Sequence, residues 1–343
     1  MKKVFFVGTL TLVVFLLLAV AYRTAPASAA QPLPRSLRIA THPIGAAYYV
    51  LGSAFAKVLS KDLPLSASVR PFSGFQAWFP EVNRGNVDLG LGTGYDLGLA
   101  VRGREPYQKM SNLRILSVGT DLILGLAVRK DSAIKTVADL KGKRVGIVRV
   151  VIGARDGALA MIKTAGLDPE RDIIVVPATN VVQPTQYLME GRVDAAWGAP
   201  AMPQIRQAAA KLGGVRFLPA AVNDEQARQI TEQFTGYRVQ KIKGGILTGV
   251  EVDTPLMASS INLVTHKALS DDAAYQIIKS IWESYDEYKG AHPWARLWTH
   301  KKMASGLEKA VAPLHPGAVR FYKEQGVWND KAEQLQQKLM QGR

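Results

Sequence analysis

The chain has 343 residues, no cysteine and a formal net charge of +15. The lack of cysteine excludes disulfides, thiol nucleophiles and thiolate-bound metals. A strongly basic chain suits an anionic ligand, an anionic surface or plain solubility. It carries no zinc-finger, aromatic-stacking or basic-helix pattern, so we expect no nucleic-acid partner.

The first thirty residues predict export. Lys2 and Lys3 precede an almost wholly apolar run over 4–22, and Ala27-Ser28-Ala29 matches a cleavage site. This pattern is typical of a secretory signal peptide over 1–30, which places the protein in the periplasm. The apolar run is also long enough for an uncleaved membrane anchor, which is the alternative.

Two stretches of the chain follow the same plan. Over 37–98 the pattern predicts a strand at 37–41, a helix at 48–60, a strand at 66–72, a helix at 76–83 and a strand at 89–92. Over 144–200 it predicts strands at 144–148, 172–178 and 195–198, separated by helices at 157–165 and 184–189. The sequence therefore contains two copies of a βαβαβ unit.

A Gly-x-Val-Asp turn supports the repeat. Asp88 and Asp194 each end such a turn and precede a short apolar strand, 106 residues apart, and Pro71 and Pro177 share that offset. We interpret both aspartates as structural, because each enters its strand from the far side of the sheet.

The rest of the chain continues the α/β pattern. Strands are predicted at 215–219 and 259–265, and helices at 224–234 and 271–287, with a glycine-rich return at 243–249 between them. The tail, 300–343, reads as helical and polar.

Alternating strands and helices predict parallel-rich sheets in two α/β lobes. We place lobe 1 at 36–122 plus 250–343 and lobe 2 at 123–249. Ligands of such sheets bind beyond the carboxyl ends of the strands. The loops after residues 41, 72 and 92 and after 148, 178 and 198 are therefore the candidate site, and the small residues after Thr41 would let a ligand reach a helix N-terminus.

Several segments resemble a known family. Tyr48-Tyr49 with Leu51-Gly52, the run from Asp139 to Gly146, Gly166-Leu167, the turn ending at Asp194 and the run from His315 to Trp328 are similar to the TAXI receptors. These are the extracytoplasmic solute-binding proteins of TRAP transporters. The resemblance covers about residues 37–330.

The resemblance implies a two-lobe periplasmic-binding-protein-like fold of the Venus flytrap type, with a ligand cleft between the lobes. It implies that the protein captures a small organic anion, such as an amino acid or carboxylate, and delivers it to the membrane permease subunits of a TRAP-type transporter. The chain departs from the family where the first loop has His42, Pro43 and Ile44 and the second has Val151 and Ile152, with Arg149 and Arg155 beside them.

Fourteen residues follow the strands of the two lobes and are the candidate ligand-binding residues. Tyrosines could instead pack in the core, arginines could be solvated, and the other polar side chains could cap helices. The candidates are Thr41, His42, Gly45, Tyr48, Tyr49, Ser73, Gly74, Gln76, Thr93, Tyr95, Arg149, Arg155, Asn180 and Gln183.

No catalytic motif is present. The chain lacks Gly-x-Ser-x-Gly, a P-loop and a dinucleotide fingerprint, and its five histidines show no metal spacing. We expect no enzyme activity, no cofactor and no metal. The alternatives to a TRAP receptor are the binding subunit of an ATP-driven (ABC) importer, a ligand-sensing subunit for a membrane kinase and a periplasmic enzyme.

Overall fold

The computed structural model describes residues 33–149 and 151–342, so the expected signal peptide lies outside the described residues. The described chain is a mixed α/β protein whose strands form one continuous hydrogen-bonded path. The strands are β1 (Ser36–Thr41), β2 (Ser66–Pro71), β3 (Leu89–Thr93), β4 (Leu113–Arg129), β5 (Arg144–Val148), β6 (Ile174–Ala178), β7 (Ala195–Gly198), β8 (Val215–Phe217), β9 (Arg238–Ile242) and β10 (Thr254–His266).

Helices cover both sheets, and two single 3₁₀ turns lie at Ala138–Leu140 and Leu307–Lys309. The helices are α1 (Ala47–Asp62), α2 (Phe75–Asn83), α3 (Gly94–Arg102), α4 (Ile152–Thr164), α5 (Gln183–Met189), α6 (Pro203–Lys211), α7 (Asp224–Gln233), α8 (Asp271–Glu283), α9 (Tyr285–Tyr288), α10 (Pro293–Leu297), α11 (His300–Gly306), α12 (Pro316–Glu324) and α13 (Asp330–Met340).

The predicted repeat is present in the sheets. In the first copy β1 pairs in parallel with β2 and β3, and Ile39 lies opposite Val69 and Leu89. In the second copy β5 pairs in parallel with β6 and β7 in the equivalent register. The prediction of two parallel-rich α/β lobes is therefore confirmed.

The two aspartates of the repeat make the same contact in each lobe. Asp88 Oδ2 accepts hydrogen bonds from the backbone N (2.8 Å) and Nε (3.2 Å) of Arg38. Asp194 Oδ2 accepts from the backbone N (2.8 Å) and Nε (3.2 Å) of Arg144. The two carboxylates therefore hold β1 against the turn before β3 and β5 against the turn before β7. Both aspartates are structural.

Two long strands join the lobes. β4 pairs antiparallel with β10 as far as Leu124, and from Gly125 onward it pairs with β7 and β8 instead. β10 pairs with β9 through its first five residues before it reaches β3. The chain therefore passes between the lobes along paired strands that the sequence pattern did not predict in full.

Three other expectations need correction. The helix expected at 157–165 begins earlier, at Ile152, and the helix expected at 271–287 divides at Ser284. The hydroxyls of Ser280 and Ser284 both donate to Asp62 Oδ2, which holds the interrupted helix against α1. The strand expected at 215–219 ends earlier, at Phe217.

The polar tail is helical, as expected, and is packed onto lobe 1. α12 buries Phe321 and Tyr322 completely, and His315 caps it by accepting a hydrogen bond from the backbone N of Gly317. Within residues 33–149 and 151–342, no helix has the length and apolar character needed to cross a membrane.

Candidate ligand-binding cleft

A cavity of about 100 Å³ lies between the lobes, beyond the carboxyl ends of β3 and β7. Both lobes and the two joining strands contribute to its lining. Lobe 1 supplies Tyr48, Phe75, Thr93 and Asp96; β4 and β10 supply Leu122, Leu124 and Ser259; the other lobe supplies Val151, Gly153, Ala154, Val181, Trp197, Gly198, Ala199, Met202 and Tyr237.

The loop from β1 to α1 is built for close packing. An added Cβ at Gly52 would lie 2.5 Å from Thr41 Cγ2, so α1 approaches the end of β1 closely. The Thr41 hydroxyl is buried and donates to the carbonyl of His42 at 3.0 Å. Gly45 has φ +88°, which favours glycine. This loop delivers the aromatic ring of Tyr48 to the cavity.

His42 stands behind that ring. Its imidazole lies 4.6 Å from the ring of Tyr48 and 4.5 Å from the ring of Phe75, centroid to centroid. Burial lowers the pKa of His42 to about 4, because the charged imidazolium would lose its hydration there. At neutral pH His42 is therefore uncharged and belongs to an aromatic wall.

The N-terminus of α3 places a carboxylate in the cavity. Thr93 caps the helix by accepting from the backbone N of Asp96 (3.1 Å), and its hydroxyl lies 2.6 Å from Asp96 Oδ2. The Tyr107 hydroxyl donates to Asp96 Oδ1 at 3.0 Å. Burial raises the pKa of Asp96 to about 6, although these hydrogen bonds oppose the rise.

Asp96 is not among the residues predicted from the sequence. Thr-x-x-Asp at residues 93–96 is a helix-capping pattern, which gives no indication that the acid also faces a cavity. Tyr237 and Trp197 were missed as well, since single aromatic residues near a strand usually indicate core packing.

Two glycines of α4 allow close packing, Gly153 against Asp96 of the other lobe and Gly157 against Trp197 of the same lobe. An added Cβ at Gly153 would lie 3.0 Å from Asp96 Oδ2, and one at Gly157 would lie 2.7 Å from Trp197. The Tyr237 hydroxyl also donates to the carbonyl of Gly153. Gly153 lets α4 lie directly over Asp96, and Gly157 lets the helix pack on Trp197. Gly153 also lowers helix propensity, and the sequence pattern placed the start of the helix after it, at Gly157.

Tyr95 bridges the cleft. Its hydroxyl donates to Asp156 Oδ2 at 2.7 Å, and its ring stacks on Tyr237 at 4.5 Å between centroids. Tyr95 is 4% exposed. The predicted residue Tyr95 thus contacts the facing lobe beside the cavity.

The two predicted cations lie away from the cavity lining. Arg155 is inside α4 rather than in a loop, and its Nε donates to Asp156 Oδ1 at 2.7 Å. Arg149 is exposed. Among the cavity-lining residues of the described chain, none is Lys, Arg or His.

The remaining predicted residues lie at the rim or outside. Ser73 and Gln76 are exposed, and α2 begins after Gly74 without a side-chain cap. Asn180 Oδ1 accepts from the backbone N of Val182 and of Gln183 at 3.0 Å, which fits the helix-capping alternative.

Gln183 and Tyr49 complete the predicted set. The Oε1 atom of Gln183 accepts from the backbone N of Thr179 at 2.7 Å, so this side chain closes the turn before α5. Tyr49 is half-buried next to Tyr48. Of the fourteen candidates, the structure places Tyr48 and Thr93 on the cavity itself.

Polar atoms without partners mark the cavity walls. The Tyr48 hydroxyl and the Trp197 Nε1 are buried and make no hydrogen bond within the described residues. No group of three or more His, Cys, Asp or Glu side chains in that part of the chain is arranged to hold a metal ion.

The sequence pattern of the NMT1-like family matches residues 39–326. Among solved structures, the chain is similar to a TctC solute-binding protein from Polaromonas, with 17% identity over 78% of this chain and 88% of that chain and a TM-score of 0.52. It is also similar to XAC2383 from Xanthomonas citri bound to chloride ion, with 10% identity, coverage of 89% and 100% and a TM-score of 0.51. The periplasmic aliphatic sulphonate binding protein SsuA from Escherichia coli matches with 18% identity, coverage of 90% and 99% and a TM-score of 0.47. The likeness to the TctC protein shows the fold, which is the two-lobe fold of solute-binding proteins.

Proposed function

The chain belongs to the NMT1-like family, and on that premise we propose that it is a periplasmic solute-binding receptor that captures a small solute between its two lobes. The observation that carries the proposal is the cavity itself, which both lobes and both joining strands enclose. The TctC protein from Polaromonas, which shares the fold, is named as a solute-binding protein.

The mechanism that we propose makes and breaks no bond. A solute binds to the lobe that carries Tyr48 and Asp96, and the facing lobe then closes on it through α4 and Tyr237. Closure is driven by the contacts that exist in the closed form alone, among them the bond from Tyr95 to Asp156. The joining strands β4 and β10 lie at the lobe boundary that we propose, with lobe 1 at 36–122 plus 250–343 and lobe 2 at 123–249.

The partner that we propose is the membrane permease of a TRAP-type transporter. Support comes from the segments that resemble the TAXI receptors, which run from Tyr48 to Trp328. Export by the signal peptide is part of this proposal, and N-terminal sequencing of the secreted protein should begin near Ala30 or Gln31. Retention of Met1 in a membrane fraction would instead indicate an anchor.

The structure supports an anionic solute less strongly than the sequence did. The sequence favoured an organic anion because the chain carries +15 and because two arginines were expected at the site. Arg155 is paired with Asp156, and Arg149 does not line the cavity. Only the overall positive charge of the chain therefore still favours an anionic solute.

Thermal-shift screening of the exported protein against a library of small solutes tests the receptor function. A solute at a hundred times its Kd stabilises the folded state by about 2.7 kcal/mol. We expect at least one solute to raise the melting temperature and to be recovered unchanged. Chemical conversion of the bound solute would indicate an enzyme, and the absence of any stabilising solute would contradict the receptor function.

A further inference from the structure

One ionised group faces the cavity. Asp96 is 3% exposed, and among the lining residues that the structure describes no other side chain carries a charge at neutral pH. The neighbouring carboxylate, Asp156, is neutralised by Arg155 at 2.7 Å. The local charge at the cavity is therefore negative, although the chain as a whole is strongly basic, and distant surface cations are screened by salt over about 8 Å.

The carboxylate of Asp96 has unused capacity for hydrogen bonds. Thr93 and Tyr107 each donate to one oxygen, and the backbone N–H of Asp96 itself also interacts with the carboxylate. A carboxylate offers about four lone-pair positions, so about one remains for a ligand. A buried charge is costly unless it is paired. A ligand with a positively charged donor would supply the missing partner.

Aromatic rings surround this carboxylate. Tyr48, Phe75, Trp197 and Tyr237 all line the cavity and are between 2% and 7% exposed. The face of an aromatic ring is electronegative, so it attracts a cation within about 6 Å and disfavours an anion. A cationic ligand that meets the face of one of these rings would be attracted by the ring as well as by the carboxylate.

The unpartnered polar atoms add a second requirement. Trp197 Nε1 is a donor only, and the Tyr48 hydroxyl can donate. Leaving such buried groups unpaired is unfavourable, so a matched ligand carries an acceptor atom in addition to its cationic group.

The size of the cavity limits the ligand. Its volume is about 100 Å³. A cavity of roughly 150 Å³ holds one benzene molecule, which has six non-hydrogen atoms, so a ligand of about four to five non-hydrogen atoms fits here.

We propose that the cleft selects a small organic cation, an ammonium or amidinium compound with one neighbouring hydrogen-bond acceptor, and that Asp96 is the residue that determines this selectivity. The inference rests on the proposed function, because it names the class of solute that the receptor takes. It replaces the anion expected from the sequence.

Three probes of five non-hydrogen atoms each test the charge preference. Glycinamide is cationic, glycolamide is neutral and glycolate is anionic, while their shapes are nearly the same. Ligands of this size reach about micromolar affinity at best, so titration calorimetry or ligand-observed NMR should extend to millimolar concentrations. We expect glycinamide to bind at least about tenfold more tightly than glycolamide, because a hydrogen bond between charged groups is stronger than a neutral one, and glycolate to bind more weakly than either.

Asp96→Asn should remove the preference. It keeps the shape of the side chain and takes away its charge, so the affinities for glycinamide and glycolamide should converge. The control is Asp131→Asn, an exposed acid paired with Arg129, which should leave the order of the probes unchanged. Circular dichroism and the melting temperature of each variant confirm that it is folded.

The outcomes separate this inference from the proposed function. Equal affinities, a preference for glycolate, a preference that survives in Asp96→Asn or no binding of any probe would overturn the selection of a cation. The library screen can still identify a neutral or anionic solute, and the receptor function would then stand without this inference. If no compound of the library binds, both the receptor function and the selection of a cation are contradicted.

Discussion

The hydroxyl of Tyr95 donates a hydrogen bond to Asp156 Oδ2 at 2.7 Å, and this bond joins α3 of one lobe to α4 of the other. Arg155 Nε donates to the other oxygen of Asp156, Oδ1, at 2.7 Å, which holds this carboxylate in position. Because Tyr95 stacks on Tyr237 as well, hydrogen bonding and ring packing act together beside the cavity.

Tyr95→Phe should weaken solute binding by about ten- to a hundredfold. Hydrogen bonds to charged groups contribute about 1.5–3 kcal/mol, and this one is available only when the lobes are closed. The control is Tyr187→Phe. Tyr187 lies on α5, and the guanidinium of Arg192 covers its ring. Calorimetry with a solute from the library screen measures both variants, and equal affinities for Tyr95→Phe and wild type would show that the bond does not hold the closed form.

Asp96→Asn should stabilise the ligand-free protein above pH 6. Burial raises the pKa of Asp96 from 3.8 to about 6, so the folded state binds this proton more tightly than the unfolded state does. The stability of the wild type therefore falls as pH rises from about 4 to about 6, by about 2–3 kcal/mol. The groups that face Asp96 are Thr93, Tyr107, Tyr48, Tyr95, Tyr237 and the Asp156–Arg155 pair.

Urea unfolding at pH 4 and pH 7.5 checks this prediction. The variant should be the more stable protein at pH 7.5, and the difference should shrink at pH 4. A variant that is less stable than the wild type at pH 7.5 would mean that the fold, rather than a ligand, requires the carboxylate.

Asp121→Asn should destabilise the protein by about 3–5 kcal/mol at neutral pH. Asp121 lies on β4 with its side chain 6% exposed, and both Arg238 and Lys302 donate to it. Burial alone would raise the pKa of Asp121, but the two cations hold it below its usual range. Loss of one partner of a buried charge cluster is strongly unfavourable.

The pH dependence of this contribution is opposite to that of Asp96. A lowered pKa means that Asp121 stabilises the fold above pH 3.8 and that the stabilisation is lost as pH falls further. The control is Asp253→Asn, whose exposed side chain pairs with Lys241, so the substitution should change the stability much less than Asp121→Asn does. Equal urea midpoints for the two variants would contradict the role of the cluster.

Arg155→Ala should lower the affinity for the solute by less than about fivefold. The guanidinium is 40% exposed and contacts Asp156, so its loss acts on the interlobe bond and not on the ligand directly. A ligand carboxylate bound to Arg155 would instead cost ten- to a hundredfold. Calorimetry on Arg155→Ala therefore distinguishes an arginine that is paired with Asp156 from one that binds the ligand, as the sequence led us to expect.

The repeat could be predicted because its defining features depend on residues that are close together in the sequence. Turn glycines, strand periodicity and the offset of 106 residues between Asp88 and Asp194 are all visible in the chain, and the same Arg–Asp contact appears in both lobes. β4 was not predicted, because residues buried on both faces carry no alternation of polar and apolar side chains.

The cleft was harder to predict because it depends on contacts between lobes. Gly153 reduces helix propensity locally, yet it lies in α4 because Asp96 of the other lobe needs the space. Asp96 resembles a helix cap in the sequence, and only the approach of the other lobe shows that its carboxylate faces a cavity. Arg155 has an acidic neighbour in the chain, and the sequence did not indicate that this neighbour neutralises it.

Calorimetric titration of the wild type and of Gly153→Leu with a solute from the library screen tests most directly whether the solute binds in the cleft. The leucine would enter the space between α4 and Asp96 and fill the cavity, while each lobe keeps its own core. We predict one binding site per chain in the wild type and no measurable binding in Gly153→Leu, with the variant still folded. Unchanged affinity in a folded Gly153→Leu would place the solute outside the cleft and contradict the account.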